Sequence, residues 1–340
     1  MSKVLIIAEA GVNHNGDFKT AMELIKAASD SGADVVKFQT FKTDKIVSLK
    51  AEKASYQSKM NGKDDNSQFS MLKKLEMPIE WHQSLMKYAK ECNIHFLSTA
   101  FDLESLEFLQ SLKLNFFKIP SGEITNKLYL QRLSKYNKPI ILSTGMSSMK
   151  EISDALSILT SNGIKKEDII VLHCNTEYPT PMEDVNLNAM LSIRDQLNVK
   201  IGYSDHTVGI EVPIAAVAIG AKVIEKHFTL NKNMEGPDHA ASIEPKEFKQ
   251  MVQSIRNIEM AISGNGEKTL SPSEEKNINL VRKSLHVSRD KVKGEIIGVN
   301  DLIALRPGTG ISPMEIEKVI GKRLKINVKK NNILNWENLE

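Results

Sequence analysis

Short apolar runs recur along the chain, and each begins like a buried strand and ends in polar residues. The runs that predict strands are residues 4–11, 34–40, 94–101, 115–123, 138–146, 168–176, 199–207 and 221–229. Stretches such as VLII and DIIVL are nearly continuous in apolar residues rather than alternating. This pattern favours parallel strands that are covered on both faces.

Helical spacing fills the segments between these runs. After the first run, Asp17 is a candidate N-cap, and an apolar stripe with helical spacing extends from Phe18 to Ala28. Further helices are predicted at about 80–92, 102–112, 126–136, 148–162, 186–197, 209–220 and 245–263. Eight strands that alternate with helices predict a (β/α)8 TIM barrel.

A doubly wound open sheet is the alternative architecture for the same alternation. Such a sheet usually carries a glycine-rich phosphate-binding turn after an early strand. The chain has GVNHNG after its first predicted strand, which indicates a tight turn and no phosphate loop. The barrel therefore remains the first prediction.

Two segments depart from the alternation, and the second suggests a domain boundary. Residues 42–77 form a long connection after the second strand, which is typical of a lid over an active site or of disorder. Residues 264–277 are rich in Gly, Ser, Asn and charge, and they predict a linker. We place the barrel at residues 1–265, the linker at 266–282 and a small domain at 283–340.

The small domain contains two segments with a similar pattern. Residues 289–302 and 326–339 both run from a lysine through a turn to two apolar β-formers, then to polar residues and a final Leu. The similarity predicts a weak internal repeat. Two ordinary β-hairpins would account for the same pattern.

Composition restricts the classes of function. The chain has 340 residues, of which 41% are hydrophobic and 26% charged, and its net charge is +3. These values are typical of a soluble globular protein and do not indicate nucleic acid or a membrane as a partner. No apolar run suits a bilayer span or a signal peptide, so we predict a cytoplasmic protein. Cys92 and Cys174 are predicted to be reduced, buried thiols.

Polar side chains end every predicted strand, at the side where a barrel carries its active site. In chain order they are Glu9, Lys37, Gln39, Ser98, Thr99, Lys118, Ser121, Glu123, Ser143, Thr144, His173, Asn175, Thr176, Ser204, Asp205, His206, Glu225 and His227. Burying an unpaired charge costs several kcal/mol, so a purely structural barrel has no reason to place such groups at every strand. The pattern predicts an active site at this end.

The residue types at these strand ends indicate particular chemistry. Lys37 and Lys118 interrupt apolar strands, and with the neighbouring hydroxyls they suit a small polyanion such as phosphate. His206 and His227 come from neighbouring strands and suit Mn²⁺ or a similar divalent ion, although two core histidines bound to the backbone remain the alternative. Glu123 is a candidate general base, or else the partner of a loop lysine.

Six motifs, in order, resemble the bacterial sialic acid synthases, a group that includes N-acetylneuraminate synthase and its legionaminic and pseudaminic acid relatives. The motifs are KFQTFK (37–42), KIPSGE (118–123), LSTGM (142–146), HCNTEYPTP (173–181), GYSDHT (202–207) and EKHFTLNKNMEGPDHAASIEP (225–245). LRPGTGISPME (305–315) resembles the antifreeze-like domain of the family, which has a SAF (β-clip) fold. The resemblance covers nearly the whole chain and implies a TIM barrel followed by that domain.

The resemblance also implies a reaction. The family condenses phosphoenolpyruvate with an open-chain, N-acetylated mannosamine-type sugar and water, and releases phosphate and a nine-carbon α-keto acid. N-acetylneuraminate is the first product to expect. The alternative is the same reaction on 2,4-diacetamido-2,4,6-trideoxymannose, giving legionaminic acid, or on its altrose isomer, giving pseudaminic acid. A divalent metal is implied, Mn²⁺ first, with Mg²⁺ and Co²⁺ as alternatives.

The site residues that the resemblance implies fall into four groups. His206 and His227 would bind the metal, and Glu123 would be the acid or base. Phosphoenolpyruvate would be held by Lys37, Thr99, Lys118, Ser121, Ser143, Ser204 and either Asn175 or Thr176. The sugar would face Glu9, Gln39, Tyr178, Asp238 and Arg306, the last from the other subunit of a domain-swapped homodimer. Leu305 precedes Arg306 where the family frequently has a lysine.

Two other classes of protein compete with this interpretation. A sugar-binding or ice-binding protein built on the small domain would leave the polar strand ends unexplained. An unrelated metal-dependent barrel lyase would use the same barrel ends, but it would release no phosphate from phosphoenolpyruvate.

Overall fold

The computed structural model of the chain describes residues 3–48 and 67–340. The chain divides into two compact units, Met1–Ser263 and Gly264–Glu340, and each has its own apolar core. The predicted linker belongs to the second unit, where Pro272–Glu275 and Ile278–Val281 form single helical turns.

The first unit is a barrel of parallel strands, as predicted. Among the described residues its strands are β1 Leu5–Gly11, β2 Val35–Thr40, β3 His95–Ala100, β4 Phe117–Ile119, β5 Ile140–Ser143, β6 Ile169–His173, β7 Lys200–Asp205 and β8 Val223–His227. The strand order is β3-β2-β1-β8-β7-β6-β5-β4, and every pairing is parallel. Pairing of β1 with β8 closes most of the circle, so the barrel is confirmed and the doubly wound sheet excluded.

Helices cover the outside of this barrel. They are α1 Phe18–Asp30, α2 Thr43–Ile46, α3 Gln68–Lys73, α4 Trp81–Glu91, α5 Leu103–Ser111, α6 Lys127–Ser134, α7 Met149–Ser161, α8 Ala189–Leu197, α9 Glu211–Ala218 and α10 Pro245–Ala261. Asp17 caps α1 as predicted, because its carboxylate accepts a hydrogen bond from the backbone N–H of Thr20 at 2.7 Å. Within the described part of the chain, no helix is long and apolar enough to cross a bilayer.

Strand register brings the polar strand ends to one level. Glu9 of β1 is paired with Lys37 of β2 on one side and with His227 of β8 on the other. Ser204 of β7 is paired with Glu225 of β8. Since side chains on neighbouring parallel strands at the same level lie side by side, four consecutive strands deliver charged and hydrogen-bonding groups to one region.

A separate apolar cluster lies at the barrel mouth, which we call the mouth cluster. Its members are Val12, Phe41, Met71 and Leu75, with Ile46, Leu72 and Phe101 packed against them. Helices α2 and α3 supply part of it, and both belong to the long connection predicted as a lid. The central part of that connection, 49–66, lies outside the described residues.

The second unit contains the antiparallel pair β9 Ser284–Val287 and β10 Leu302–Leu305. Its two similar segments are related by local symmetry. Gly294 and Asn331 occupy equivalent positions, and both have a positive φ, 85° and 65°. Their backbone N–H groups donate equivalent hydrogen bonds of 2.8 Å, to the carbonyl oxygens of Leu324 and Val287 respectively.

The axis of this symmetry passes between the two segments. Lys291 and Val328 are equivalent residues, and each donates its backbone N–H to the carbonyl oxygen of the other at 2.9 Å. Pairing across the two segments distinguishes an internal repeat from two independent hairpins. The repeat predicted from the sequence is therefore present in the fold.

Both cysteines carry free thiols, as predicted. Cys174 is buried, but Cys92 is only half-buried, so the prediction of two buried thiols is correct for one of them. The difference arises because Cys92 follows the end of α4 at the outer layer, whereas Cys174 follows β6 inside the barrel.

Candidate active site

A cavity of about 510 Å³ lies at the carboxyl ends of the barrel strands. All but three of the residues predicted for the site line it. These lining residues are Glu9, Lys37, Gln39, Thr99, Lys118, Ser121, Ser143, Thr176, Tyr178, Ser204, His206, His227 and Asp238. We call it the main cavity.

Four buried charged side chains form the floor of the main cavity, and we call them the charge cluster. The Lys37 ammonium lies 2.7 Å from a carboxylate oxygen of Glu9 and 3.7 Å from one of Glu225. The Lys118 ammonium lies 3.4 Å from the other oxygen of Glu225. None of the four is more than 4% exposed. Glu225 therefore links two lysines that come from β2 and β4.

Burial and neighbouring charge act differently on the members of this cluster. Burial works to raise the pKa of Glu225, but Lys118 and Lys37 outweigh it and hold that pKa at about 2. Burial raises the pKa of Glu9 to about 7, since the attraction of Lys37 only partly offsets it. Burial lowers the pKa of Lys118. Near neutral pH Glu225 is therefore ionised, whereas Glu9 is protonated in part. Two lysines beside a carboxylate whose negative charge is reduced suit an anionic ligand.

Hydroxyl groups surround the two lysines. Lys37 donates to the hydroxyl of Thr99 at 3.0 Å, and the Ser204 hydroxyl donates to Glu225 at 3.2 Å. The buried hydroxyl of Ser143 has no hydrogen-bond partner among the described residues. A buried polar atom without a partner is uncommon in proteins and indicates a position where a ligand or water completes the hydrogen bonds.

Gly145 allows the loops after β4 and β5 to approach each other. A Cβ at this position would lie 2.5 Å from Thr176 Cγ2 and 2.9 Å from the Ser121 hydroxyl, closer than real Cβ contacts. The backbone N–H of Gly145 donates to that same hydroxyl at 2.9 Å. The glycine therefore fixes Ser121 at the edge of the main cavity.

Two imidazoles lie beside the charge cluster, with ring centroids 5.3 Å apart. His206 Nδ1 donates to the carbonyl oxygen of Asn175. Since a carbonyl can only accept, Nε2 carries no proton and accepts from the Tyr178 hydroxyl at 3.1 Å. His227 Nδ1 has no hydrogen-bond partner among the described residues and lies 3.6 Å from a carboxylate oxygen of Asp238.

The environment keeps both imidazoles neutral. Burial lowers the pKa of His206 to about 4. Burial also lowers the pKa of His227 well below its usual value, and the neighbouring His206 ring and Lys37 ammonium add to the effect. A neutral imidazole is the form that binds a metal ion.

The fit of these residues to a divalent ion can be judged from their donor atoms. Within residues 3–48 and 67–340, no group of three or more His, Cys, Asp and Glu side chains is arranged to hold a metal by itself. The two neutral imidazoles nevertheless provide nitrogen ligands that suit Mn²⁺. One of these nitrogens, His227 Nδ1, is buried beside Asp238 and has no hydrogen-bond partner among the described residues. The residues fit an ion whose remaining ligands are water and substrate oxygen.

A buried ion pair fixes the turn that carries His206. The Lys226 ammonium pairs with the carboxylate of Asp205 and donates to the carbonyl oxygen of Thr207 at 2.9 Å. The other carboxylate oxygen of Asp205 accepts from the backbone N–H and the hydroxyl of Thr207, at 3.1 Å and 2.8 Å. These contacts hold both sides of His206, so its ring orientation is set by the backbone.

Three predicted site residues lie outside the main cavity. Glu123 ends the short 3-10 turn Ser121–Glu123, accepts from the Asn126 side chain at 2.6 Å and lines a neighbouring cavity of about 790 Å³. The turn directs Ser121 and Glu123 to different sides, which the motif alone did not reveal.

Asn175 is the second predicted residue outside the main cavity. The Asn175 side chain caps its own loop by accepting from the backbone N–H of Glu177 at 2.7 Å, so Thr176 lines the cavity instead.

Arg306 is the third of these residues. It lies in the second unit, is exposed, and donates through Nε to the carbonyl oxygen of Val281 at 2.9 Å. Its predicted contribution to another subunit remains a prediction.

Sequence reasoning gave no role to Glu225, although it holds the two lysines together. The available signal was the two-residue alternation that places Glu225 and His227 on one face of β8. Met71 and Leu72 also line the main cavity, and no sequence signal placed them there. They come from a connection whose polar and apolar residues show no clear period.

Comparison with known proteins matches two family models to successive parts of the chain. The model of the NeuB family matches residues 24–268, and the model of the SAF domain matches residues 282–340. The chain is 54% identical over 334 residues to the N,N'-diacetyllegionaminic acid synthase of Campylobacter jejuni subsp. jejuni serotype O:2, covering 98% of this chain and 99% of that protein. It is 49% identical over 337 residues to the enzyme of the same name from Legionella pneumophila subsp. pneumophila, covering 98% and 94%.

Solved structures agree with the fold. The crystal structure of an N-acetylneuraminic acid (sialic acid) synthetase from Leptospira borgpetersenii serovar Hardjo-bovis, in complex with citrate, superposes with a TM-score of 0.69. The two sequences are 33% identical, and the match covers 82% of this chain and 90% of the other.

The raised pKa of Glu9 predicts a pH dependence of stability. Between the ordinary value of 4.5 and about 7, Glu9 is protonated in the folded protein and ionised in the unfolded chain. The stability gained from this proton is therefore complete below pH 4.5 and is lost as the pH rises through 7. Relative to Glu9→Gln, the free energy of unfolding of the wild type should fall by about 2–3 kcal/mol between about pH 5 and pH 8.

Chemical denaturation of both proteins with a metal chelator present measures this difference. Glu23→Gln, at an exposed residue of α1, is the control and should keep a constant difference from the wild type. A Glu9→Gln protein that also differs from the wild type by a constant amount across this range would contradict the assignment.

Proposed function

The chain belongs to the NeuB family, and we propose that it condenses phosphoenolpyruvate with 2,4-diacetamido-2,4,6-trideoxymannose and water to give N,N'-diacetyllegionaminic acid and phosphate. The observation that carries the condensation is the charge cluster, in which Lys37 and Lys118 share Glu225 beside the buried Ser143 hydroxyl, which has no partner in the described part of the chain. The choice of acceptor rests on the two legionaminic acid synthases, at 54% and 49% identity.

This choice reverses the order of acceptors reached from sequence alone, where N-acetylneuraminate came first. N-acetylneuraminate remains the second candidate because the Leptospira synthetase shares the fold at 33% identity. Both products arise from the same bond formation, so the two candidates differ only at C4 and C6 of the acceptor.

Phosphoenolpyruvate is the anion that the floor of the main cavity is suited to bind. Lys37 and Lys118 supply two ammonium groups, and Ser143 supplies a hydroxyl with no partner among the described residues. A phosphate and a carboxylate on one small molecule need several donors that converge, and charged donors give the strongest of these hydrogen bonds. Thr99, Ser121, Thr176 and Ser204 complete the set of hydroxyls around the lysines.

The acceptor aldehyde belongs beside the two histidines. His206 and His227 would hold a divalent cation, Mn²⁺ first with Mg²⁺ and Co²⁺ as alternatives, which when bound supplies Lewis-acid polarisation of the aldehyde oxygen. Tyr178, hydrogen-bonded to His206, and Asp238, beside His227, keep the two rings in place. Asp238 and Gln39 also face the space that the sugar would occupy.

Bond changes then follow from this placement. Carbon 3 of phosphoenolpyruvate attacks the aldehyde carbon, and the aldehyde oxygen takes a proton. Water adds at carbon 2 and gives up a proton, and the tetrahedral intermediate loses phosphate by cleavage of the C–O bond. Glu9 can hold or release a proton near neutral pH, because burial raises its pKa to about 7. Glu9 lines the main cavity and Glu123 does not, so Glu9 is the better placed of the two for proton transfer.

Arg306 and the quaternary structure extend the proposal. We propose that the chain forms a homodimer in which the C-terminal domains are exchanged. The Arg306 guanidinium of one subunit would then reach the site of the other. The guanidinium is exposed, and within the described part of the chain its Nε donates to the backbone of its own unit. Its terminal nitrogens suit a bidentate contact with a carbonyl or carboxylate oxygen. The cytoplasmic location also stays a prediction.

Phosphate release from phosphoenolpyruvate tests the reaction. With Mn²⁺ present, we expect release that depends on 2,4-diacetamido-2,4,6-trideoxymannose, with a higher kcat/KM than for N-acetylmannosamine. Chelation should abolish it, and added Mn²⁺ should restore it. His227→Ala should lower kcat/KM at least about 100-fold, because a metal ligand is lost.

The matched control is His95→Ala, at an exposed histidine that begins β3 at the far end of the barrel. It should leave turnover unchanged. Phosphate release that is independent of either sugar, or absent with both, would overturn the proposed function.

Complementation tests the contribution of Arg306 to the other subunit. Lys118→Met and Arg306→Ala should each be inactive alone, because one lacks a lysine of the charge cluster and the other an arginine in each site. After the two are unfolded and refolded together, random pairing should restore about a quarter of wild-type activity, since half of the dimers then have one complete site. A mixture that stays inactive while it refolds to dimers would show that Arg306 acts within its own chain or not at all.

A further inference from the structure

One side of the main cavity is apolar, in contrast to its charged floor. Leu72 and Phe101 line both the main cavity and the neighbouring cavity, and Gln39 is the polar residue that lines both with them. Met71 and Val12 extend the apolar surface within the main cavity. A ligand that passes from one cavity to the other must therefore contact Leu72 and Phe101.

This apolar wall is built into the fold. Phe101 follows β3, where its backbone N–H donates to the carbonyl oxygen of Thr40 at 3.2 Å, and its ring packs edge-on against Phe41 at 6.3 Å between centroids. Leu72 lies on α3 and packs in the mouth cluster. The Glu76 carboxylate just after α3 accepts from the backbone N–H of Thr43 at 2.7 Å, which ties α3 to α2. The wall is thus a positioned surface.

The proposed reaction fixes the direction in which the acceptor extends. Its aldehyde lies at His206 and His227, and the floor of the main cavity is taken by phosphoenolpyruvate. The remaining carbons of the acceptor would extend from the histidines along Gln39, whose side-chain amide donates to Glu9 at 3.2 Å. Gln39 lies between the two cavities, so the distal carbons of the open-chain sugar reach the wall.

We propose that Leu72 and Phe101 determine acceptor specificity by packing against the C6 methyl group of the 6-deoxy sugar. N-acetylmannosamine carries a hydroxyl at C6, which would lose its hydrogen bonds to water against this wall and gain none. An apolar pocket discriminates only moderately against an added hydroxyl, by about 10-fold to 100-fold. The proposal rests on the proposed function and assigns its specificity to two residues that take no part in the bond changes.

The first test is the ratio of kcat/KM for 2,4-diacetamido-2,4,6-trideoxymannose to that for 2,4-diacetamido-2,4-dideoxymannose, which differs from it only by a hydroxyl at C6. In Leu72→Asn, which keeps the size of the side chain but adds an amide, this ratio should fall at least about 10-fold. Leu72→Met keeps the wall apolar and should preserve the ratio. Ile79→Asn makes the same kind of change at an exposed residue that lines neither cavity, and it should also preserve the ratio.

A second measurement uses the unmutated protein and so does not depend on the folding of a variant. With the reaction prevented by omission of phosphoenolpyruvate, the C6 methyl protons of the bound sugar should show nuclear Overhauser effects to leucine methyl groups. The Overhauser effects to leucine methyl groups should be absent in Leu72→Met, which assigns them to Leu72.

The outcomes separate the two proposals. A wild-type enzyme that turns over neither sugar overturns the proposed function and this inference with it. A wild-type enzyme that is active, together with a folded Leu72→Asn variant of unchanged ratio, overturns the inference alone. Absence of an Overhauser effect between the C6 methyl group and Leu72 in the saturated wild-type enzyme also overturns it.

Discussion

The pairing of Glu225 with Lys37 and Lys118 is the interaction on which the rest of the site depends. Two ammonium groups inside a barrel repel each other and lose their hydration, and a shared carboxylate 3.4 Å and 3.7 Å away compensates both. Removing one member of a buried ion pair usually costs about 3–5 kcal/mol, because the partner stays buried without compensation. The cluster is therefore retained only if it has a use, and binding of a phosphorylated carboxylate provides one.

The site recognises its two proposed substrates by different physical means. The floor uses charge and converging hydroxyls, which suit a small anion and are insensitive to the remainder of the molecule. The mouth cluster uses apolar contact, in which Leu72 and Phe101 respond to the presence or absence of one hydroxyl on the acceptor. The two neutral histidines lie between these regions, where the new bond would form.

Much of the architecture could be predicted from the sequence because it depends on local pattern. Parallel strands covered on both faces appear in the sequence as apolar runs. The helix cap at Asp17 could be predicted because an aspartate stands directly before a helical pattern. Most of the site residues could be found because polar groups at the ends of such runs are costly, whereas Tyr178 and Asp238 came only from the resemblance to the family. The orientation of Glu123 could not be predicted, since a 3-10 turn sends it and Ser121 to opposite sides. Glu225 received no role because its partners lie on three other strands, and only the register of the barrel brings them together.

Whether the charge cluster binds phosphoenolpyruvate can be measured by calorimetric titration. Phosphoenolpyruvate is titrated into the wild-type protein and into Lys118→Met, without sugar. Methionine matches the length of the lysine stem and removes its charge, so Glu225 is left with Lys37 as its compensating lysine. We expect Lys118→Met to bind phosphoenolpyruvate at least about 30-fold more weakly than the wild type, because one partner is lost from a buried set of charges. Equal affinity of the folded variant and the wild type would contradict the claim that the charge cluster binds phosphoenolpyruvate.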